Sequence, residues 1–182
     1  IPLHASDRGD DNPIVVAGGH AAFNPEPISR FIDAAVLGDG EQAAVDISDC
    51  IAAFKAEGSP DGRAGLLARL AELDGVYVPS FYDVDYLPDG RIHRVVPNRP
   101  EAPWRVAKRT VMDLDEWPYP KAPLVPLAET VHERSSVEIF RGCTRGCRFC
   151  QAGMITRPVR ERSIETVGKI VAQGLAASGF DE

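Results

Sequence analysis

Several features common in exported, membrane-bound or nucleic-acid-binding proteins are missing from this sequence. No run of apolar residues approaches the roughly 20 that a membrane-spanning helix needs, and residues 1–10 lack the basic start and apolar core of a signal peptide. Basic residues are also fewer than acidic ones, with 20 Lys and Arg against 27 Asp and Glu, which gives a net charge of −7. This balance argues against a general nucleic-acid-binding surface. We therefore expect a cytoplasmic protein that does not associate with membranes.

Cysteine is scarce as well, and its distribution is uneven. Cys143, Cys147 and Cys150 lie within one short stretch, while Cys50 stands far upstream. A disulfide framework usually has an even, dispersed set of cysteines in a secreted chain. The uneven pattern therefore favours ligation of a metal or cluster by the three clustered cysteines, in a reducing compartment. Cys50 is expected to be a small buried residue on its helix.

The chain has the composition of a globular protein, with 44% apolar and 26% charged residues. Its 182 residues suffice for one ordinary domain or for parts of two. It starts at Ile1 rather than at Met, and it stops at Glu182, just after a predicted helix and where a strand is expected to begin. We therefore interpret it as a fragment of a longer protein.

Residues 1–57 alternate between short apolar runs and helical patterns. Residues 14–17 and 34–37 are predicted strands, each followed by glycines. A short helix is predicted from Asn24-Pro25 to about residue 31, and a longer one over 41–57 with apolar residues on one face. Strands and helices that alternate with short loops indicate a parallel α/β sheet. We interpret this region as the C-terminal part of a doubly wound domain.

Residues 58–130 carry weaker patterns. A small helix is predicted within 58–75, and a hairpin with arms over 76–86 and 91–96 around the turn Pro88-Asp89-Gly90. Seven prolines then fall between residues 97 and 126. Because proline disrupts regular helices and central strands, this stretch is predicted to be an extended connector between domains.

Residues 131–182 place the clustered cysteines between a strand and a helix. Residues 136–140 alternate apolar and polar side chains and predict a strand. Ser163 is a predicted helix cap, Glu165 lies in the helix's first turn, and Gly179 ends it. Active sites of α/β folds lie at the carboxyl ends of strands. The cysteine loop is therefore the first candidate for a functional site.

The loop reads Arg141-Gly142-Cys143-Thr144-Arg145-Gly146-Cys147-Arg148-Phe149-Cys150. Thiolates ligate iron in iron–sulfur clusters, and three cysteines on a 4Fe–4S cube leave one iron open to a small molecule. Gly142 and Gly146 allow the backbone to fold tightly around a bulky cube, and nearby amides can donate hydrogen bonds to its sulfurs. Arg145 and Arg148 could offset the negative charge of the cluster.

Two other interpretations of the cysteines fit less well. A structural zinc site needs four ligands, but Cys50 lies far away in a predicted helix and His132 is the nearest other candidate. A thioredoxin-like role for Cys147 and Cys150 would leave Cys143 unexplained. The seven arginines between residues 134 and 162 could bind an anion, but most of them are expected to be part of a solvated loop.

The spacing C-x3-C-x-aromatic-C after a first strand resembles the signature of the radical S-adenosylmethionine (SAM) superfamily. The resemblance implies a partial TIM barrel whose open iron binds SAM through its amino and carboxylate groups. One electron would then cleave SAM to methionine and a 5′-deoxyadenosyl radical, and Phe149 would pack beside the adenine. It also implies an electron donor such as flavodoxin or ferredoxin. Since such a barrel needs on the order of 200 residues or more, the fragment alone is expected to be inactive.

The first part of the chain resembles the cobalamin-binding-type domain that precedes the barrel in one group of these enzymes. The resemblance rests on Gly18-Gly19, on the Asn-Pro-Glu-Pro turn at 24–27, and on Gly38-Asp39-Gly40-Glu41. It implies that Gly18, Gly19, Gly38, Gly40 and Glu41 are candidate cobalamin-binding residues. His20 does not fit the axial-histidine motif of cobalamin proteins, and the resemblance gives no substrate.

Several functions remain open at this point. Within the radical SAM hypothesis, one branch is a cobalamin-dependent methyl transfer or rearrangement, and the other is a methylthiotransferase-like modification of RNA. The arginines suit RNA, but the overall acidity does not. The alternative from another class is a structural metal-binding module, or an iron–sulfur interaction or electron-transfer module, without radical chemistry.

Overall fold

The computed structural model describes residues 1–128, 131 and 134–180. The chain divides into two compact units, unit 1 over Ile1–Thr110 and unit 2 over Val111–Glu182. The division falls inside the predicted connector. The predicted domain limits at residues 57 and 130 stay predictions, as does the doubly wound and barrel architecture. The mixed α/β class is confirmed.

Unit 1 contains a small mixed sheet of three strands. Strands β1 (Val16–Ala17), β2 (Ala34–Val36) and β3 (Val76–Tyr77) lie in that order. β1 and β2 pair in parallel, as predicted, whereas β3 pairs antiparallel with β2. The sequence had predicted that Val76-Tyr77 begins the hairpin. This is wrong, because the 3-10 turn Pro79–Phe81 separates these residues from the next strand.

Two helices cover one face of this sheet. Helix α1 spans Glu41–Ala56 and α2 spans Gly62–Ala71. Leu66 and Leu70 are four positions apart on α2, so they project from the same face and are both buried in the core, together with Phe54 of α1. Burial of each such side chain stabilises the fold by about 2 kcal/mol. The helices predicted over 41–57 and within 58–75 are thus confirmed.

On the second face of the sheet, Ala35 packs with Ala22 of the 3-10 helix His20–Phe23 and with Ile32. Ala34 and Ala35 are both fully buried but belong to different apolar clusters, as expected for successive residues of a strand. The predicted helix over 24–31 is wrong, since the chain forms only the turn Glu26–Ile28 there. The N-terminal segment explains this, because Ala5 N–H and the Arg8 guanidinium donate to the carbonyl groups of Arg30 and Phe31.

A buried ion-pair network joins the segments of unit 1. The Asp33 carboxylate lies 2.8 Å from Arg8 Nη1 and 2.8 Å from Arg63 Nη2, and it also accepts from Val15 N–H at 2.7 Å. The Asp33 side chain is only 2% exposed. The N-terminal segment, the start of β2 and helix α2 are therefore tied to a single carboxylate.

A separate hairpin and an irregular segment complete unit 1. Strands β4 (Tyr82–Tyr86) and β5 (Ile92–Pro97) pair antiparallel around the predicted turn, which confirms the hairpin. Beyond it, residues 98–110 of unit 1 form no helix or strand, and neither do residues 111–128 of unit 2, in agreement with the predicted extended stretch. Arg109 forms an isolated parallel bridge with Gly38, in which Arg109 N–H donates to the Leu37 carbonyl group at 2.9 Å.

Unit 2 is built from two short strands and two helices. Strands β6 (Phe140–Arg141) and β7 (Arg160–Glu161) pair antiparallel, and helices α3 (Ala152–Ile155) and α4 (Ile164–Ser178) follow the cysteines and β7 respectively. Of the strand predicted over 136–140, only Phe140 has that conformation.

The predicted cap of the last helix is confirmed. Ser163 Oγ accepts from Thr166 N–H at 3.1 Å, and the Asp115 carboxylate accepts from Ser163 N–H at 3.1 Å. The hydrogen bond that involves Ser163 is the main reason that the pKa of Asp115 is lowered. Among the described helices, none is long and apolar enough to cross a membrane.

Candidate metal centre

The cysteines lie in a loop that is closed at its base. Phe140 pairs with Glu161 and Arg141 pairs with Arg160, so residues 142–159 leave and return at the same two-stranded ladder. The sequence had predicted a direct passage from strand to loop to long helix. The structure corrects this, because α3 and β7 stand between the last cysteine and α4.

Gly142 forms the tightest point at the base of the loop. Its φ is +98°, and a Cβ atom at this position would lie 2.8 Å from the Thr156 carbonyl oxygen and closer still to that of Pro158. A side chain has no room there, and the backbone angle also disfavours one. The two arms of the loop therefore meet at a position that only glycine satisfies.

Two cysteine sulfurs accept hydrogen bonds from the backbone. Arg145 N–H donates to Cys143 Sγ at 3.4 Å, and Gly153 N–H donates to Cys150 Sγ at 3.4 Å. Such bonds stabilise the negative charge of a thiolate and tune a bound cluster. The donors are amides of nearby residues, two and three positions after the cysteines, which agrees with the expectation that amides of Gly142, Gly146 or their neighbours could donate to sulfur.

The side chains of the cysteine loop differ in their exposure to solvent. Cys147 is exposed, whereas Cys143 and Cys150 are half-buried. Phe149 is 92% exposed, so its ring is open to a ligand. Arg145 and Arg148 are exposed as well. The roles predicted for these residues in cluster and SAM binding stay predictions.

The zinc interpretation named two further candidates, Cys50 and His132. Cys50 lies on α1, where it packs against the core of unit 1, and burial raises the pKa of its thiol. His132 lies outside the described residues. Within the described ranges, no three His, Cys, Asp or Glu side chains form a group that could hold a metal ion.

Most of the arginines between residues 134 and 162 were expected to lie in a solvated loop. The structure corrects this for the arginines after the cysteines. Arg160 and Arg162 are 6% and 9% exposed. Arg160 donates to the carbonyl groups of Val111 at 2.8 Å and Thr156 at 3.1 Å, and Arg162 donates to that of Leu114. They bind backbone within unit 2. Arg160 lies in β7 and Arg162 directly follows it, so their i, i+2 spacing is the signal in the sequence that could have indicated a shared face.

Glu138 connects two of these arginines. Its carboxylate lies 2.9 Å from Arg141 Nε and 3.0 Å from Arg162 Nη2. The hydrogen bond from Arg141, followed by that from Arg162, lowers the pKa of Glu138 below its ordinary value. Sequence reasoning assigned no role to Glu138, which helps to hold β6 and the segment after β7 together.

The candidate cobalamin-binding residues lie at one edge of the unit 1 sheet. Gly18-Gly19 follows β1 and Gly38 follows β2, so both glycine turns are at the carboxyl ends of parallel strands. Cβ atoms at Gly18, Gly19 or Gly40 would have no neighbour within 4 Å. These positions are open, and Glu41 begins α1 beside them in sequence.

Gly38 differs from the other glycines at this edge. Its φ is +103°, and a Cβ atom there would lie 2.6 Å from the Arg109 backbone nitrogen. Contact with the chain itself is therefore sufficient to require glycine at position 38. The requirement at Gly19, whose φ is +85°, is conformational, since the space beside it is open.

The family model described as radical SAM proteins, N-terminal, matches residues 1–79. A ribosomal protein uS12 methylthiotransferase from Thermotoga sp. (strain RQ2) is 38% identical over 73 residues, which is 40% of this chain and 13% of that protein. An uncharacterized protein of Methanocaldococcus jannaschii is 26% identical over 171 residues, which is 92% of this chain.

The chain spans 13% of the length of the first relative and 30% of that of the second. A ribosomal protein uS12 methylthiotransferase from Thermotoga maritima is 35% identical over 77 residues, and the match covers 42% of this chain and 14% of that protein. No solved structure matches the chain.

Proposed function

Because this chain belongs to the radical SAM superfamily and carries the N-terminal domain of that superfamily over residues 1–79, we propose that its cysteine loop binds a 4Fe–4S cluster for the reductive cleavage of SAM. The observation that supports this best is the closed loop itself. It bears three thiols, and backbone N–H groups donate to the sulfurs of Cys143 and Cys150.

The number and type of the residues in the loop suit a cluster with one open iron, while in the described structure the three cysteines do not form a group that could hold a single metal ion. Cys143, Cys147 and Cys150 provide three thiolates, and the described part of unit 2 offers no fourth cysteine. Backbone N–H groups donate to the sulfurs of Cys143 and Cys150, and outer hydrogen bonds of this kind orient ligands and tune a bound cluster. The exposed guanidinium groups of Arg145 and Arg148 add positive charge to a loop that would carry a negatively charged cluster.

A bound cluster would supply the electron for the reductive cleavage of SAM to methionine and a 5′-deoxyadenosyl radical. The role of this chain in that reaction is to bind the cluster and to orient SAM. Phe149 provides an exposed aromatic face on which the adenine can stack. The ladder of β6 and β7 keeps both arms of the loop at a fixed separation.

We propose that unit 2 begins a partial TIM barrel and that unit 1 includes the C-terminal part of a cobalamin-binding-type domain. Cobalamin is proposed as a further cofactor at the open glycine edge near Gly19. The electron donor is proposed to be a protein such as flavodoxin or ferredoxin. These assignments, like the proposed cytoplasmic location, rest on the family.

The relatives favour one branch of chemistry. The Thermotoga proteins are named as methylthiotransferases that act on ribosomal protein uS12. We propose that the whole protein transfers a methylthio or methyl group to a macromolecular substrate, of which RNA is one candidate.

Full-length protein tests the proposal. After anaerobic reconstitution, we expect about four irons and an equal amount of acid-labile sulfide per chain, and 5′-deoxyadenosine formation from SAM after reduction. Cys143→Ala, Cys147→Ala and Cys150→Ala should each abolish that product as completely as the triple variant, since the ligands act as a unit.

Cys50→Ala is the matched control, and it should retain both the iron content and the product. Zinc in place of iron would support a structural metal module instead. A full cluster that binds SAM but yields no 5′-deoxyadenosine with any reductant would support an electron-transfer or interaction module, and the proposal would fail.

A further inference from the structure

Arg157 bridges the two arms of the cysteine loop. Its Nε–H group donates to the Cys143 carbonyl oxygen at 3.3 Å and to the Gly153 carbonyl oxygen at 2.8 Å. Cys143 lies on the arm that leaves β6, and Gly153 lies in α3 on the arm that returns to β7. We propose that Arg157 is a positioning residue that sets the geometry of the cluster ligands, an inference that rests on the proposed function.

The Arg157 side chain thus lies close to the backbone at or beside each of the three cysteines. It binds the carbonyl group of Cys143 directly. A Cβ atom at Gly146, the residue before Cys147, would lie 3.7 Å from Arg157 Nη2. Gly153 accepts from Arg157 and donates its own N–H to Cys150 Sγ at 3.4 Å.

Arg157 acts on the Cys150 sulfur indirectly, through the backbone of Gly153. Gly153 is buried, and its backbone is constrained on the carbonyl side by Arg157 and on the amide side by Cys150. Loss of the guanidinium would release the carbonyl side. We expect the N–H bond to Cys150 Sγ to weaken as a result, because outer hydrogen bonds orient metal ligands and tune the metal.

The chemistry of the side chain also matters. A guanidinium is planar, permanently charged and able to donate in several fixed directions, whereas an ammonium group is a compact point charge on a flexible stem. Arg157 is partly buried, so its charge is screened less than that of an exposed side chain. A positive charge beside the loop favours the more negative, reduced form of a cluster and should raise its reduction potential.

Arg148 provides a matched control for charge. It lies in the same loop and is exposed. Arg157→Met and Arg148→Met each remove one positive charge, but only the first removes the two carbonyl contacts. A purely electrostatic effect would appear in both variants, while an effect on ligand positions would appear in Arg157→Met alone.

The experiment uses full-length protein reconstituted with iron and sulfide. Three quantities are measured: iron and sulfide per chain, the rate of iron release to a chelator, and the midpoint potential from a redox titration followed by electron paramagnetic resonance. Arg157→Met should release iron about 10–100-fold faster than wild type, the range typical for loss of an outer-shell partner, and its potential should be more negative. Arg157→Lys should release iron at a rate between those of wild type and Arg157→Met, and Arg148→Met, which removes a charge but no carbonyl contact, should release iron more slowly than Arg157→Met.

The outcomes separate this inference from the proposed function. A wild-type protein that takes up no iron and sulfide would remove the proposed function itself. If wild type binds the cluster, then equal release rates and potentials in wild type and Arg157→Met would overturn the role of Arg157, as would equal defects in Arg157→Met and Arg148→Met. Should Arg157→Met fail to fold by circular dichroism, Arg157→Lys decides, and wild-type release and potential in that variant would overturn the inference.

Discussion

The backbone of Gly142 lies directly against the carbonyl group of Pro158, so that a Cβ atom at position 142 would overlap the carbonyl oxygen. This contact joins the residue before the first cysteine to the residue that leads into β7. The closed cysteine loop therefore depends on a backbone contact as well as on the short ladder of β6 and β7.

Gly142→Ala is expected to open the base of the loop. The substitution adds a steric overlap to a backbone strain on the order of 1–3 kcal/mol. We expect less iron per chain after reconstitution and a lower unfolding temperature of unit 2. Gly146→Ala is the control, because Gly146 also has a positive φ, of +71°, but a Cβ atom there would have a neighbour no closer than 3.7 Å. Equal iron content in the two variants would contradict this account.

Asp33→Asn is expected to destabilise unit 1 strongly. The carboxylate is the shared partner of the Arg8 and Arg63 guanidinium groups. Its neutralisation leaves two largely buried positive charges without compensation, which costs about 3–5 kcal/mol. Urea unfolding followed by circular dichroism measures the change in the free energy of unfolding.

Asp85→Asn serves as the comparison for Asp33→Asn. Asp85 pairs with Arg94 on the hairpin, and the two side chains are 48% and 65% exposed. An exposed pair of this kind contributes about 0–1 kcal/mol. If Asp33→Asn were as mild as Asp85→Asn, the network around Asp33 would not be important for stability.

Phe149→Ala is expected to weaken SAM binding while the cluster is retained. The ring is exposed and contributes no ligand atom. Loss of an aromatic stacking contact of about 0.5–1.5 kcal/mol corresponds to a roughly two- to tenfold higher Kd. Equilibrium binding of SAM to reconstituted full-length protein measures this, with iron content determined in parallel. Loss of iron together with SAM binding would show that Phe149 supports the loop rather than the ligand.

Gly19→Val is expected to reduce cobalamin binding by full-length protein. A branched side chain would fill the open space beside the turn and would not tolerate the positive φ of +85°. Equilibrium dialysis with hydroxocobalamin provides the measurement. Gly9→Val, which adds the same side chain in open space before β1 at an ordinary φ, should bind normally. No binding by the wild-type protein would leave unit 1 as a scaffold without cobalamin.

Features that depend on neighbours in sequence were predictable. The apolar spacing of α1, the cap at Ser163 and the turn at Pro88-Asp89-Gly90 each act over a few residues, and the structure contains all three elements. The spacing of the three cysteines is also local, and it was sufficient to indicate the family.

Features that depend on distant segments were decided only by the tertiary structure. The antiparallel direction of β3, the contact between Gly38 and Arg109, and the pairing of β7 with β6 join residues far apart in sequence. Arg157 and Arg160 are informative in the same way, because the sequence shows their charge but not the carbonyl groups that they bind. Composition and spacing thus indicated the chemistry that we propose for the chain, whereas hydrogen bonds between remote segments determined the geometry of the loop that bears the cysteines.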